Sequence, residues 1–162
     1  MSELEQPPPV VRGRLLAVDQ GDRYIGLALC DGLWLTTRPL LVLERSSKAE
    51  DFAAINAQIA KHQVVAVIVG LPTNPERADD EAEMPTRAST VRRWASRLAA
   101  AIRVPLYLWE EQFSSIEAAD LIAAQGSERP DRIDAHAAAV ILQSFIDAHP
   151  LSVALPKPVK NI

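Results

Sequence analysis

The chain has 162 residues, 48% of them apolar and 23% charged, and its formal net charge is −4. These values are typical of one soluble globular domain with a substantial hydrophobic core. They exclude a generally basic surface, so any affinity for nucleic acid must come from a local basic patch. No apolar stretch is long enough to span a bilayer, and Met1–Gln6 is too polar for a secretory signal.

Cys30 is the only cysteine in the chain. A single cysteine excludes an internal disulfide and is typical of a reducing compartment, so we expect a cytoplasmic protein with no membrane partner. Because Cys30 ends an apolar run, we expect its thiol to be buried. The sequence leaves an intermolecular disulfide open.

Three segments are expected along the chain. Pro7-Pro8-Pro9 marks residues 1–13 as a flexible, proline-rich leader. Residues 14–150 carry the regular patterns of one domain, and residues 151–162 are expected to form a C-terminal tail.

The domain begins with three predicted strands, Arg14–Val18, Tyr24–Cys30 and Leu40–Leu43. Their short connections indicate an antiparallel meander. A capping-box sequence that starts at Ser47 then predicts a helix. The next apolar run, Val64–Val69, lacks alternation, which indicates a strand that is buried on both faces.

Helices and strands alternate in the second half of the domain. After an acidic, proline-containing loop, Leu71–Pro85, we predict a helix over Thr86–Ile102 and a strand over Val104–Trp109. Two further helices are predicted. One runs from the capping box at Ser114 to Gly126, and the other starts near Asp134 and ends at His149.

The helix predicted over Thr86–Ile102 directs most of its arginines outward, namely Arg87, Arg92, Arg93 and Arg97. Such a row either lines a track for nucleic acid or forms an ordinary solvated helix face. The sequence leaves both interpretations open.

This order of elements predicts an α/β fold, in which helices cover both faces of a mixed five-stranded sheet. The first three strands form the antiparallel meander, and the later strands pair in parallel. In open α/β sheets, sites lie at the carboxyl ends of the parallel strands. Asp19 and the pair Glu110-Glu111 follow predicted strands at that edge, and Asp134 is expected to open the last helix.

Carboxylates that converge repel each other unless a cation neutralises them. Oxygen ligands without cysteine or paired-histidine spacing indicate Mg²⁺ or Mn²⁺, and two such ions clamp a phosphodiester during its hydrolysis. Because adjacent residues of a strand point to opposite faces, only one of Glu110 and Glu111 can enter the site.

Each acid also has a purely structural interpretation. Asp19 is a common turn former beside Gly21, Asp134 is a good N-cap, and Glu110 and Glu111 can be solvated residues after a strand. The residues by themselves do not decide between these interpretations and a metal site.

Four segments of the chain resemble the YqgF/RuvX family, in the family's order. Leu16–Ala28 resembles its opening motif, and Val69–Asn74 resembles its Gly-Leu-Pro-x-Asn signature. Trp109–Ser115 is similar to its Asp-Glu-Arg motif, and Ile133–Ser144 is similar to its terminal helix. The resemblance extends from about Leu15 to about Asp147.

The resemblance implies an RNase H-like fold related to the RuvC resolvases. It also implies a nuclease that acts on Holliday junctions or on the 5′ end of precursor 16S rRNA. It assigns the catalytic, metal-binding carboxylates to Asp19, Glu111 and Asp134. It favours a phosphate contact by Arg23, and Gly21 and Arg132 complete the predicted nucleic-acid-binding residues.

The chain departs from the family pattern where Glu110-Glu111-Gln112 replaces Asp-Glu-Arg. Glu110 therefore competes with Glu111 as a metal ligand, although Glu111-Gln112 resembles the Glu-Gln of RuvC resolvases. Asp131 is similar to the first of the paired aspartates in those enzymes, and is a candidate fourth ligand.

The leading hypothesis is a metal-dependent endonuclease with two Mg²⁺ or Mn²⁺ ions that acts on branched DNA or precursor rRNA. The missing arginine and the acidic loop keep a second hypothesis open. In it, the protein is a nucleic-acid- or partner-binding adaptor of the same fold, with weak or no catalysis. The two-fold symmetry of a junction suggests a homodimer.

Overall fold

The computed structural model describes residues 12–72, 86–111 and 130–159, except for the side chains of residues 111 and 130–133. Most of the predicted leader, most of the acidic loop and the helix predicted after Ser114 lie outside these ranges. The described elements are, in chain order, β1 (Arg14–Gln20), β2 (Tyr24–Cys30), β3 (Thr37–Glu44), α1 (Lys48–His62), β4 (Val64–Pro72), α2 (Arg87–Ala101), β5 (Leu106–Glu111) and α3 (Pro130–Ala148).

The five described strands form one sheet in the order β3-β2-β1-β4-β5. β2 pairs antiparallel with β1 and β3, whereas β4 pairs in parallel with β1 and β5. The predicted mixed sheet is therefore confirmed. Because β1, β4 and β5 are parallel, their carboxyl ends lie at one edge of the sheet, and this edge is called the carboxyl edge below.

The sheet separates two hydrophobic layers. Leu16 and Val18 of β1 pack in the core that contains Val91, Trp94 and other residues of α2, together with Ile55 of α1. The neighbouring residues of β1 pack instead against α3, in a core that holds Ala138, Ile141, Leu142 and Phe145. Strand alternation produces this division, and it confirms that helices cover both faces.

The start of α1 follows the predicted capping pattern. The Ser47 side chain accepts a hydrogen bond from the Glu50 backbone N–H at 3.1 Å. The Glu50 carboxylate accepts from the Ser46 hydroxyl at 2.6 Å, so the return contact reaches the residue before the cap. The bond to the Ser47 side chain satisfies the Glu50 N–H, a backbone donor that the first helical turn leaves without a partner.

The last helix begins earlier than expected. α3 starts at Pro130, so Asp134 lies in its second turn and the N-cap interpretation of Asp134 is wrong. Proline is well suited to the first helical position, because its missing N–H would have no partner there in any case.

Residues after α3 return to the sheet. The Val159 N–H donates to the Leu106 carbonyl oxygen at 2.8 Å, beside β5, and Val159 packs against the core. The contact covers part of a strand that has only one neighbour in the described sheet. None of the described helices is both long and apolar enough to cross a membrane.

Cys30 is expected to be unreactive in the folded protein. Its side chain is 2% exposed, its Sγ accepts the Leu15 N–H at 3.2 Å, and burial raises the pKa of the thiol from 9.0 to about 11. This lowers the thiolate fraction near neutral pH about 100-fold.

We expect the thiol-reactive disulfide DTNB to label Cys30 of the native protein at least about 100-fold more slowly than Cys30 of the protein unfolded in guanidinium. Rapid labelling of the native protein would contradict this burial and reopen the intermolecular disulfide.

Candidate active site

Asp19 lies at the end of β1, on the face of the sheet that α3 covers. It follows Leu15 and Ala17 in strand alternation, and both of these pack in the α3 core. The side chain of Asp19 is half-buried. Its partner in β2 is Gly26, so the residue opposite Asp19 has no side chain.

The missing side chain at Gly26 lets α3 reach the sheet. A Cβ atom added to Gly26 would lie 1.9 Å from the carbonyl oxygen of Asp134 and 2.7 Å from the Ala135 nitrogen. Only glycine therefore allows this approach of the two backbones. Asp134 is in consequence held beside the residue that pairs with Asp19.

The carboxylate of Asp134 also lies close to the turn that follows Asp19. A Cβ atom added to Gly21 would lie 3.7 Å from Asp134 Oδ1 and 2.7 Å from the Tyr24 carbonyl oxygen. The Gly21 N–H donates to that Tyr24 oxygen at 2.8 Å, which closes the turn. The structure thus brings together three of the predicted site residues, Asp19, Gly21 and Asp134.

Two arginines from other elements hold the β1–β2 turn. Arg45 Nη1 donates to the Gly21 carbonyl oxygen at 2.9 Å. Arg87 Nη1 donates to Asp22 Oδ1 at 3.1 Å, and Arg87 Nη2 donates to the Gln20 carbonyl oxygen. Since Asp22 is 95% exposed, its ion pair contributes little. The bonds to backbone oxygens are what fix the turn beside Asp19.

Arg23 is exposed at the same turn. Its guanidinium lies 5.5 Å from the centroid of the Tyr24 ring and 3.8 Å from the Glu44 carboxylate. Both side chains of this ion pair are largely exposed, so the pair is weak and Arg23 can exchange Glu44 for another anion.

Glu110 and Glu111 end β5 and pair with Leu71 and Pro72 of β4. Position 110 is on the same face of β5 as Leu106 and Leu108, which pack toward α1 and α2. The side chain of Glu110 is exposed. Position 111 continues the series of Tyr107 and Trp109, which pack on the α3 side. The backbone therefore assigns the two adjacent glutamates to opposite faces.

The remaining predicted residues lie partly outside the described structure. Asp131 and Arg132 belong to the first turn of α3, and their side chains, like that of Glu111, are not described. Among the described side chains, no group of three or more His, Cys, Asp or Glu residues is arranged to hold a metal ion. The described side chains include those of Asp19 and Asp134 but not that of Glu111, the third predicted carboxylate.

Sequence reasoning missed Gly26 and Arg45. A glycine inside an apolar strand is a signal of close backbone approach, so the sequence pattern around Gly26 could have predicted this contact. Nothing local distinguishes Arg45, because its role depends on the distance between β3 and the β1–β2 turn.

A family model described as "RuvX: Holliday junction resolvase" matches residues 13–148. The chain belongs to the RuvX family. Holliday junction resolvases cut nucleic acid, so the expected enzyme class, a nuclease, is confirmed by this membership.

Curated relatives cover nearly the whole RuvX domain. A protein of Anaeromyxobacter dehalogenans is 41% identical over 137 residues, which cover 83% of this chain and 96% of the relative. A protein of Koribacter versatilis is 33% identical over 143 residues, which cover 86% of this chain and 90% of the relative. Both carry the name "Putative pre-16S rRNA nuclease".

The fold is shared with a solved resolvase. RuvC of Thermus thermophilus, solved in complex with a Holliday junction substrate, superposes with a TM-score of 0.50 at 18% identity. The match covers 84% of this chain and 95% of the RuvC chain. The expected RNase H-like architecture of the RuvX family is confirmed for this chain.

Replacing Gly26 tests the contact between α3 and the sheet. Gly26→Ala must push α3 away from β2, since the new Cβ would meet the Asp134 carbonyl at 1.9 Å. We expect the free energy of unfolding, measured by urea denaturation, to fall by about 1–3 kcal/mol, the usual cost of overpacking.

Gly13→Ala is the matched comparison for that measurement. Its Cβ would lie 2.6 Å from Val65 Cγ2, at a φ of +88°, so it is also destabilising. The clash lies at the amino end of β1, away from Asp134. A Gly26→Ala protein as stable as the wild type would show that the close approach is wrong.

Proposed function

We propose that the protein is a metal-dependent endonuclease that hydrolyses phosphodiester bonds in structured nucleic acid. The observation that supports this best is the contact at Gly26, which keeps Asp134 beside the strand position of Asp19. Both acids lie at the carboxyl edge, where open α/β sheets hold their sites.

Glu111 is proposed as the third carboxylate, rather than Glu110. Position 111 falls on the α3 side of the sheet, as Asp19 does, whereas Glu110 falls on the other side. β4 separates β5 from β1, so the two strands are about 10 Å apart.

The donor chemistry suits Mg²⁺ or Mn²⁺, with two ions as the proposed number. Carboxylate oxygens are hard ligands, and a divalent cation relieves the repulsion between like charges at one edge. Asp19, Glu111 and Asp134 would hold the ions, and Asp131, one helical turn before Asp134, is a candidate fourth ligand. When bound, such ions activate water and stabilise the departing oxyanion.

The other residues of the site bind and orient the substrate. Gly21 is proposed to lie at the bound phosphate, because its missing side chain lets the β1–β2 turn close beside Asp134. Arg23 is exposed there, and a substrate phosphate would replace Glu44 as its partner. Arg132 is proposed as a further phosphate contact, at the start of α3.

The substrate is proposed to be a Holliday junction, precursor 16S rRNA or both. The family description supports the junction, and the names of the curated relatives support the rRNA. Gln112, in place of the family's arginine, favours the second candidate function, an adaptor that binds nucleic acid without cutting it. Binding with no cleavage would distinguish this adaptor from the enzyme.

Cleavage of a Holliday junction and of a precursor 16S rRNA fragment, with Mg²⁺ or Mn²⁺, tests the proposal. We expect Asp19→Asn, Glu111→Gln and Asp134→Asn each to lower the single-turnover rate by more than about 100-fold. Loss of a direct ligand should exceed the 10–100-fold cost of losing an outer-shell partner. Chelation of the metal by EDTA should abolish cleavage of either substrate.

Glu110→Gln is the matched control, because it makes the same chemical change one position away, on the other side of the sheet. It should retain most of the wild-type rate. Equal losses for Glu110→Gln and Glu111→Gln would contradict the assignment by strand alternation. Saturable binding by a wild type that cuts neither substrate would establish the adaptor.

A homodimer is proposed for the complex with a junction, whose two-fold symmetry presents two equivalent strands. Gel filtration with light scattering should give twice the monomer mass of 17.7 kDa for the protein in the complex. A monomer both with and without junction would contradict the dimer.

We further propose that residues 14–150 form the nuclease domain. We also propose that the protein works in the cytoplasm, in keeping with its single, buried cysteine.

A further inference from the structure

The outward face of α2 carries charge of one sign only. α2 contains four arginines and no aspartate or glutamate. All four are exposed, but Arg87 is engaged at the β1–β2 turn. The other three, Arg92, Arg93 and Arg97, form what is called the arginine face below. The opposite side of α2 is buried in the core through Val91, Trp94, Ala95, Leu98 and Ala99.

The three arginines of this face line one groove. Arg93 and Arg97 are four residues apart, so they lie one above the other, and Arg92 borders them one position away. Ser96 and Ala100 are the small residues between them. A groove of about 570 Å³ adjoins this face, and its described lining consists of these five residues.

No described carboxylate lies within ion-pair distance of the arginine face. Arg23 and Arg87 differ in this respect, since each has a described acid as its partner. Like charges four residues apart, such as Arg93 and Arg97, destabilise a helix. In a chain whose net charge is −4, this face is a concentrated basic patch.

The arginine face lies on the side of the sheet that α2 covers, opposite the α3 side that holds Asp19. The first residue of α2, Arg87, contacts Gln20 and Asp22 at the turn after Asp19. With a rise of 1.5 Å per residue, the arginine face lies about 8–15 Å farther along the helix axis. A nucleic acid held at the carboxyl edge reaches the arginine face by passing around that edge onto the outer surface of α2.

We propose that the arginine face of α2 binds the phosphate backbone of a structured nucleic acid, as a second contact outside the cleavage site. This inference rests on the proposed function for its choice of partner. Guanidinium groups bind phosphate oxygens in a forked geometry. The span from Arg92 to Arg97, about 7.5 Å along the helix, allows these arginines to contact neighbouring phosphates of one strand.

Binding as a function of salt concentration tests the inference. Fluorescence anisotropy of a labelled Holliday junction and of an rRNA hairpin, in EDTA, gives Kd for wild type and for Arg92→Ala/Arg93→Ala/Arg97→Ala. We expect the triple variant to raise Kd at least tenfold at about 0.1 M salt. The plot of log association constant against log salt concentration has a negative slope. The magnitude of that slope should decrease by up to about 2.7, which is 0.9 for each of three lost phosphate contacts.

Two further variants separate specific contacts from general charge. Arg38→Ala/Lys61→Ala/Lys157→Ala removes the same number of exposed cations elsewhere on the surface, and it should change the slope by less than half as much. Arg92→Lys/Arg93→Lys/Arg97→Lys keeps the charge and should restore most of the slope. If all three variants keep the wild-type slope, the arginine face is only a solvated surface or binds an acidic protein, and the inference is wrong.

Cleavage separates this inference from the proposed function. In single turnover at saturating enzyme with Mn²⁺, the alanine triple variant should cut at the wild-type rate, because it leaves the carboxylates intact. If the wild type cuts neither substrate but the alanine triple variant binds more weakly than the wild type, the arginine face is supported and the nuclease proposal is overturned. Normal cleavage with an unchanged salt slope would overturn the arginine face alone, and a wild type that binds neither probe would overturn both.

Discussion

The contact between the α3 backbone and the sheet at Gly26 is the constraint on which the site depends. Because position 26 has no side chain, the Asp134 carbonyl reaches the strand that pairs with Asp19. Any side chain there would separate the two acids, whatever their own identities. The close approach also positions the rest of α3, whose Ile141, Leu142 and Phe145 then fill the core below the sheet. One glycine thus links the packing of a layer to the geometry of the site.

Charge is distributed unevenly around this contact. The acids lie at the carboxyl edge, while Arg45 and Arg87 hold the adjacent turn through its backbone oxygens. Because these two guanidinium groups are engaged by the protein, the proposed phosphate contacts are more exposed groups, namely Arg23 and the arginine face of α2. This division explains how a chain with a net charge of −4 can still approach a polyanion, since only local positive patches need to meet the phosphates.

Much of the fold follows from local patterns. The exact span of β2, Tyr24–Cys30, the cap at Ser47 and the body of α2 agree with the sequence prediction within one residue. Boundaries that depend on neighbours agree less well. β3 begins at Thr37 rather than Leu40, because pairing with β2 extends it, and α3 begins at Pro130 because proline is also a favourable first helical residue.

By itself, the sequence determined the strand–helix order, the apolar faces and the candidate acids, because hydrophobic periodicity and capping are local properties. It could not choose between Glu110 and Glu111, or recognise what Gly26 and Arg45 do. Those questions depend on which elements become neighbours in space. The tertiary structure decided that α3 lies against Gly26, that Tyr107 and Trp109 of β5 share the face of Asp19, and that Arg45 reaches the Gly21 carbonyl. Each is a contact or a shared face between segments far apart in the chain, and only the packed sheet brings them together.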